Sequence, residues 1–520
     1  MKKAALVLII VFILAFSTAC GGGMTSPPPP PPPPPVTVSA NVAVTPNPTS
    51  TPFDLAMSTS FQPAEWDYQF FQNVPSAITP LANLNPSHIR LQGISQGVPQ
   101  TSQASWDFTV LDAVTQPVLG VGDHSPEFQV AKAPAFMYTH NDADSFHDTF
   151  LDTSYGPFAA YAADLVRYYN TGGFTSSDNM SHVSPAYPTN KITWWGIYNE
   201  PSINNFTSQI TDAANAADYT AMYNVVVPAM QAADPGGNQK FVALEMCCGS
   251  EDWVPVFASN VTQQVDAIAT HYYSSCNQKD TDSQLMATVP GFASSVQTIY
   301  SHLQNSGNPL VMNAPVWITE NNVNADFNAG NNMSACNPGQ AFVTDLRGSS
   351  AFFVAWRPYV FSQVGKAGAR FLYHWDFDAD PQFGEVNWPG GNTFQLQLSY
   401  WVDYWLARYF PAGTSQKLLN STNSNGTQIE VLPVMNTDGS VVIMISNHAV
   451  ASATDNNGEG LTANVTLDTS GLGAFTSATK LVFDSTTSAT TGPTAASISP
   501  ASPINLTMNG YSSAFVKLVP

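Results

Sequence analysis

Residues 194–201 read Trp194-Trp195-Gly196-Ile197-Tyr198-Asn199-Glu200-Pro201. An apolar run of strand composition stops abruptly at Asn-Glu-Pro. Pro201 has no N–H to give to a central strand and disfavours a helical backbone at the residue before it. Glu200 is therefore left at the C-terminal tip of a strand. Pro315-Val316-Trp317-Ile318-Thr319-Glu320-Asn321 repeats the logic: a second apolar strand that runs out into a carboxylate.

Outward from these two stretches, short apolar runs alternate with amphipathic ones from about Phe53 onward, the pattern of βα units. The candidate strands are 53–57, 88–92, 117–121, 133–138, 193–198, 241–246, 267–272, 316–319 and 371–375. Helical stretches fall at 155–169, at 217–233 and within 339–364. Repeated strand–helix–strand units imply an α/β fold with a parallel sheet, and the span suits a closed (β/α)8 TIM barrel with long loops. An open doubly wound sheet is disfavoured because no Gly-rich phosphate turn follows an early strand. Nine candidates for eight strands leave one surplus, at 117–121 or 133–138. Counting that pair as one, Glu200 ends strand 4 and Glu320 ends strand 7.

The texture changes after Trp388. Residues 398–410 read as an aromatic-rich helix. Short alternating runs follow at 429–433, 440–446, 463–467, 480–483 and 513–518, separated by Ser, Thr, Asn and Gly turns. They predict a C-terminal antiparallel β-sandwich. The expected domains are a barrel over 51–410 and a sandwich over 411–520, with 36–44 alternating well enough to add a strand to the latter.

The N-terminus reads as a targeting segment. Lys2 and Lys3 precede an apolar run over 4–16 that is too short to span a bilayer comfortably. Ser17-Thr18-Ala19-Cys20 follows and resembles a bacterial lipoprotein signal, with Ser17 standing where such signals usually carry Leu. The expectation is a signal over 1–20, lipidation of Cys20 and a Pro-rich tether over 21–50. The protein would then be exported and held to a membrane only through lipid, facing the periplasm or cell exterior. Four cysteines remain: Cys247, Cys248, Cys276 and Cys336. Their spacing is unlike a zinc site and permits one or two disulfides. Adjacent Cys247 and Cys248 are not expected to bond each other, so each would reach Cys276 or Cys336.

The chain has 520 residues, 44% of them hydrophobic and 12% aromatic, enough for a large core. Its 37 acidic against 16 basic residues give a net charge of -21. That balance repels phosphate backbones and argues against nucleic acid as a partner. Two carboxylates at one barrel mouth suit cleavage of a glycosidic bond. That reaction needs one carboxylic acid to protonate the leaving oxygen and one carboxylate across the sugar to attack or stabilise the anomeric carbon. An esterase-type reading lacks its Gly-x-Ser-x-Gly turn.

The Asn-Glu-Pro on strand 4 and the Trp-Ile-Thr-Glu on strand 7 resemble clan A glycoside hydrolases. Within that clan the chain, over roughly 50–520, is most similar to glycoside hydrolase family 39, whose members pair such a barrel with a β-sandwich. The resemblance implies a retaining mechanism on an oligo- or polysaccharide, with Glu200 as acid/base and Glu320 as nucleophile, and no cofactor or metal. It further implies that Asn199 bonds the sugar 2-hydroxyl and that Arg90 lies beside the nucleophile and keeps it ionised. His271 and Tyr273 would face the site from strand 6, and Trp375 would form the platform beneath the sugar. A β-xyloside is the first choice of substrate. Arabinosides, glucosides and uronic-acid glycosides are alternatives, as is a non-catalytic carbohydrate-binding surface lipoprotein. His124, His140 and Asp142 are further candidates to line the pocket. Asp376, Asp378 and Asp380 read as solvated loop acids rather than a calcium loop, lacking its central Gly and terminal Glu.

Overall fold

The computed structural model describes residues 36–520 apart from 48, 50, 62–68, 85–87, 93–97, 121–125, 140–148, 203–211 and 248. The signal and Cys20, most of the tether, His124, His140, Asp142 and Cys248 lie outside the described residues. No helix among the described residues is long and apolar enough to cross a membrane.

Eight parallel strands close into a barrel. They are β1 (Ala56–Phe61), β2 (Ile89–Leu91), β3 (Glu127–Val130), β4 (Trp194–Ile197), β5 (Lys240–Cys247), β6 (Ala267–Ser275), β7 (Val316–Asn324) and β8 (Phe371–His374). A helix follows each: α1 (Ile78–Leu84), α2 (Thr109–Gly120), α3 (Gly156–Val166), α4 (Asp212–Ala233), α5 (Trp253–Asn260), α6 (Asp282–Asn305), α7 (Ala351–Lys366) and α8 (Leu398–Tyr409). The (β/α)8 expectation holds; Glu200 lies just past strand 4, whereas Glu320, expected at the end of strand 7, lies within it, because the strand runs on to Asn324.

Three strand assignments need correction. Residues 117–120 belong to α2, whose buried Leu111, Val114, Thr115 and Val118 recur at helical spacing with Pro117 tolerated inside, and Val121 lies outside the described residues. Residues 133–138 contain a 3-10 turn, Ala135–Met137. The true third strand is Glu127–Val130, between the two. Its apolar Phe128 and Val130 pack outward on the helices while Glu127 and Gln129 point into the barrel, so a polar interior disguised it. Residues 53–57 are likewise split: Pro52–Phe53 pairs with Gln416–Leu418 of the sandwich, and the barrel strand starts at Ala56.

The barrel interior is layered. At the N-terminal end Trp194, Trp317 and Phe371 fill the bore, with Ala56, Ala267 and Ala269 leaving room for the two indoles. His88 stacks on Trp317 at 5.1 Å. Above this plug the inward side chains turn polar: Ser60, Arg90, Glu127, Gln129, Glu245 and Thr319, all fully buried.

Two sheets follow the barrel. In the seven-stranded one, Ile429–Met435, Val441–Asn447, Ser512–Val519 and Ser477–Phe483 run antiparallel side by side. In the four-stranded one, Thr37–Thr45 lies between Asn420–Asn423 and Thr462–Asp468, and its pairing with the latter is parallel. Alternate side chains of the larger sheet serve two cores. Val431, Ile443 and Val516 face the smaller sheet, whereas Leu432, Met444 and Phe515 join the helices of the barrel. Ser446 Oγ donates to the Ala355 carbonyl of α7 at 2.7 Å, and Tyr409 of α8 stacks on Phe515. Cys276 and Cys336 form a disulfide that ties the loop after β6 to the loop after β7. Cys247 is also disulfide-bonded, so its bond goes to neither Cys276 nor Cys336.

Because one apolar core runs from barrel helices into the seven-stranded sheet, calorimetry is expected to show a single cooperative unfolding transition. Phe515→Ala should lower stability by about 3–5 kcal/mol and shift that transition as a whole. Two separated transitions would show that the halves fold independently.

Candidate active site

The polar layer opens at the C-terminal ends of the strands, where backbone irregularities aim the side chains. Glu200 and Tyr198 after β4, and Leu244 and Glu245 in β5, all have positive φ: 46°, 68°, 77° and 44°. Such backbones are strained for non-glycine residues and collect at functional sites. β5 carries an extra residue against β6, and β7 carries one between Ile318 and Glu320. The second bulge turns both Thr319 and Glu320 inward. Backbone groups displaced by these kinks find partners. Tyr219 of α4 accepts the Leu244 N–H at 2.7 Å and donates to the Ile197 carbonyl at 3.0 Å, and the Glu200 N–H donates to the Glu245 carbonyl.

Arg90 is the hub. Its Nη1 donates to Glu320 Oε1 at 2.9 Å and to Gln92 Oε1 at 2.6 Å. Its Nη2 donates to Glu245 Oε2 at 2.9 Å and to Asn199 Oδ1 at 3.0 Å. Asn199 Oδ1 also accepts from Gln129, which fixes which way its amide faces. Tyr273 donates its hydroxyl proton to Glu320 Oε2 at 2.8 Å. His271 Nδ1 lies 2.8 Å from Glu200 Oε1 and 3.4 Å from Glu320 Oε2. One ligand atom each of Glu200, His271 and Glu320 falls within 4.8 Å of the others, so the two carboxyl groups face each other across the mouth. The Glu200 side chain is 17% exposed and that of Glu320 6%, so the pair sits on the solvent side of the buried layer.

The structure thus brings together Glu200, Glu320, Asn199, Arg90, His271 and Tyr273. Trp375, just beyond β8, lies with its ring 6.0 Å from the Arg90 guanidinium. Asp376 and Asp378 are buried, not the solvated acids expected, because the turn after β8 folds back under the Phe383–Val386 segment: the Glu385 N–H donates to the Asp376 carbonyl and the Val386 N–H to the Phe377 carbonyl. Glu127 and Glu245 escaped the sequence reading. The signal for Glu245 was a carboxylate inside an otherwise apolar run.

Burial sets most of the electrostatics. It lifts the Glu320 carboxyl above its ordinary value of 4.5, outweighing the downward pull of His271 and Arg90. Arg90 beside Glu320 therefore moderates a raised pKa and does not abolish it. For His271 the order reverses. Burial alone would lower it, but Glu320, Glu200 and Glu245 raise it to about 9. A second buried cluster, His374, Glu385 and Asp403, has metal-like spacing. There His374 is taken by Asp403 at 2.9 Å and the Phe383 carbonyl at 2.7 Å, and Arg357 pairs with Asp403, so the donor set is that of an ion pair.

Removing Arg90 leaves buried carboxylates without their cation. Arg90→Met should cost about 3–5 kcal/mol of stability at pH 7 by urea unfolding. The orphaned carboxyls would have folded-state pKa values raised above the unfolded ones. The penalty is then fully present above the raised folded pKa and is lost as pH falls from there to the unfolded pKa, so the deficit should shrink toward pH 4. A deficit independent of pH would show that packing, not charge, is what the substitution removes.

A family model described as a glycosyl hydrolase catalytic core matches residues 168–347, the span that contains Glu200 and Glu320. No curated protein matches the chain. Among solved structures, a monomeric β-xylosidase from Caulobacter crescentus superposes with a TM-score of 0.61 at 16% identity, covering 93% of this chain and 100% of that one. A glycoside hydrolase family 51 arabinofuranosidase from Xanthomonas axonopodis gives 0.59 at 12%, with 93% and 99% covered. The catalytic domain of a family 30 xylanase from Talaromyces cellulolyticus gives 0.55 at 16%, with 92% and 100% covered. At these identities the superpositions speak for the fold, and the matched core speaks for the chemistry: this barrel carries the catalytic core of an O-glycosidase.

Proposed function

We propose that the protein is a retaining clan A glycosidase of the family 39 type, with Glu200 as acid/base and Glu320 as nucleophile. The observation that carries this reading is the approach of the two carboxyl groups, with oxygens within 4.8 Å. Retaining enzymes hold their carboxyls about 5–5.5 Å apart, whereas inverting enzymes need about 6.5–9.5 Å to admit a water.

In this reading Glu320 attacks the anomeric carbon while Glu200 gives its proton to the departing oxygen. Glu200 then takes a proton from the water that hydrolyses the glycosyl–Glu320 ester. Arg90 and Tyr273 each hold one Glu320 oxygen and aim the nucleophile. His271, donating to Glu200 Oε1, leaves the other oxygen of that group for the leaving-group proton. Asn199 and Trp375 serve as the 2-hydroxyl contact and the sugar platform. The leading substrate is a β-xyloside, supported by the acidic chain, which favours a neutral sugar, and by the likeness to a solved β-xylosidase. Export as a lipoprotein through Cys20 would place the enzyme where such glycosides arrive.

Proton NMR of the first product anomer from an aryl β-xyloside should show retention. First release of the opposite anomer would sink the mechanism. Glu320→Gln should abolish turnover. Glu200→Gln should slow a poor leaving group about 10²–10⁴-fold and a dinitrophenyl glycoside far less. Turnover needs Glu320 ionised and its folded pKa is raised, so kcat/KM should fall with decreasing pH through a midpoint above 4.5. A panel covering arabinosides, glucosides and glucuronides tests the sugar.

A further inference from the structure

Beneath the two catalytic glutamates lies a second pair of acids. Glu127 on β3 and Glu245 on β5 are both fully buried and flank Gly196 of β4. A Cβ on Gly196 would collide with Glu245 Oε1 and sit 3.2 Å from Glu127 Oε1. The missing side chain is the space in which the two carboxyls meet. Two ionised carboxylates cannot share such a space, so one proton must reside there.

The surroundings decide which acid carries it. Glu245 Oε2 collects Arg90 Nη2 at 2.9 Å, Thr319 Oγ1 at 2.8 Å and His271 Nε2 at 3.4 Å. Glu127 faces Glu245, the Tyr373 hydroxyl of β8 and, at 4.0 Å, only the Nε of Arg90. Burial opposes charge on both. For Glu245, Arg90 and His271 overcome it and hold the carboxyl down at about 2. For Glu127, burial and then the Glu245 charge push the carboxyl well above the usual range.

We propose that Glu245 is a positioning residue of the catalytic centre, which holds His271 by Nε2 and Arg90 by Nη2 while Glu127 carries the proton the acid pair shares. The proposal rests on the reading of Glu200 and Glu320 as the catalytic pair. His271 bridges carboxylates at both ring nitrogens, Glu245 on the buried side and Glu200 and Glu320 on the open side. That arrangement keeps the ring an imidazolium in one orientation. Arg90 and His271 then balance Glu245 and Glu320, a neutral centre once Glu200 holds the proton it must donate. The left-handed backbone at Leu244 and Glu245 is what turns this carboxyl into the bore.

The test is ring-¹⁵N NMR of histidine-labelled full-length protein, with His271 assigned through His271→Gln. In the wild type both ring nitrogens should be protonated at pH 7, with a midpoint near 9. Glu245→Gln should lower that midpoint by about one unit or more. It should also reduce kcat about 10²-fold through misplaced groups with KM little changed, and Glu245→Asp should recover part of both. Glu127→Gln replaces a neutral acid with its neutral isostere and should leave the His271 midpoint in place. A neutral His271 at pH 7 in the wild type, or equal shifts in the two Gln variants, would overturn the proposal. If Glu245→Gln does not fold, the wild-type and Glu127→Gln titrations still decide it. Should the wild type cleave no glycoside, the catalytic reading fails while the titrations report on the acid pair independently.

Discussion

A single guanidinium holds the mouth of the barrel together. Arg90 enters from the shortest of the arrangements around it, a three-residue strand, and its planar fork engages strands 4, 5 and 7 at once. A lysine would bring the charge without the geometry. Everything polar in the upper barrel is tolerable because this cation is there. A bore lined by Glu127, Glu245 and Glu320 would otherwise have to protonate its acids or open to water. The Trp194, Trp317 and Phe371 plug fills the bore below them, so the charged groups sit above an apolar floor.

What was legible in the sequence follows from this layout. Glu200 stands just past an apolar strand, and Pro201 marks it in the chain itself; Glu320 stands where the apolar run Val316–Ile318 turns polar inside a longer strand. The plug and outward faces of the strands are apolar, so seven of the eight strands announced themselves. The eighth, Glu127–Val130, did not, because hydrophobic patterning assumes that inward means apolar and here inward means Glu and Gln. Glu245 was hidden differently. It reaches the bore through two left-handed residues in a strand, and neither strand alternation nor residue type forecasts a bulge of non-glycine residues. Gly196 was the available clue, a glycine inside a strand being a mark of close approach.

The sandwich was readable for the opposite reason. The central strands of its larger sheet are covered on both faces, by the smaller sheet and by α7 and α8, and Val441–Asn447 is buried throughout. Antiparallel strands usually show one wet face. Here nearly continuous apolar runs betray a layer buried in the middle. In α7 twelve residues are buried, and all but Arg357 and Ser362 of them are apolar, tyrosine and tryptophan included.

The parallel pairing of Thr37–Thr45 with Thr462–Asp468 has a temporal meaning. The first described strand of the chain finds its neighbour more than four hundred residues later. Contacts of such sequence separation form late, since a long loop must close before they are rewarded. The smaller sheet can therefore be completed only after the chain as far as Ile504–Met508 has been made. The N-terminal strand acts as a seal on a finished molecule, a clasp that shuts when the last β-strands arrive.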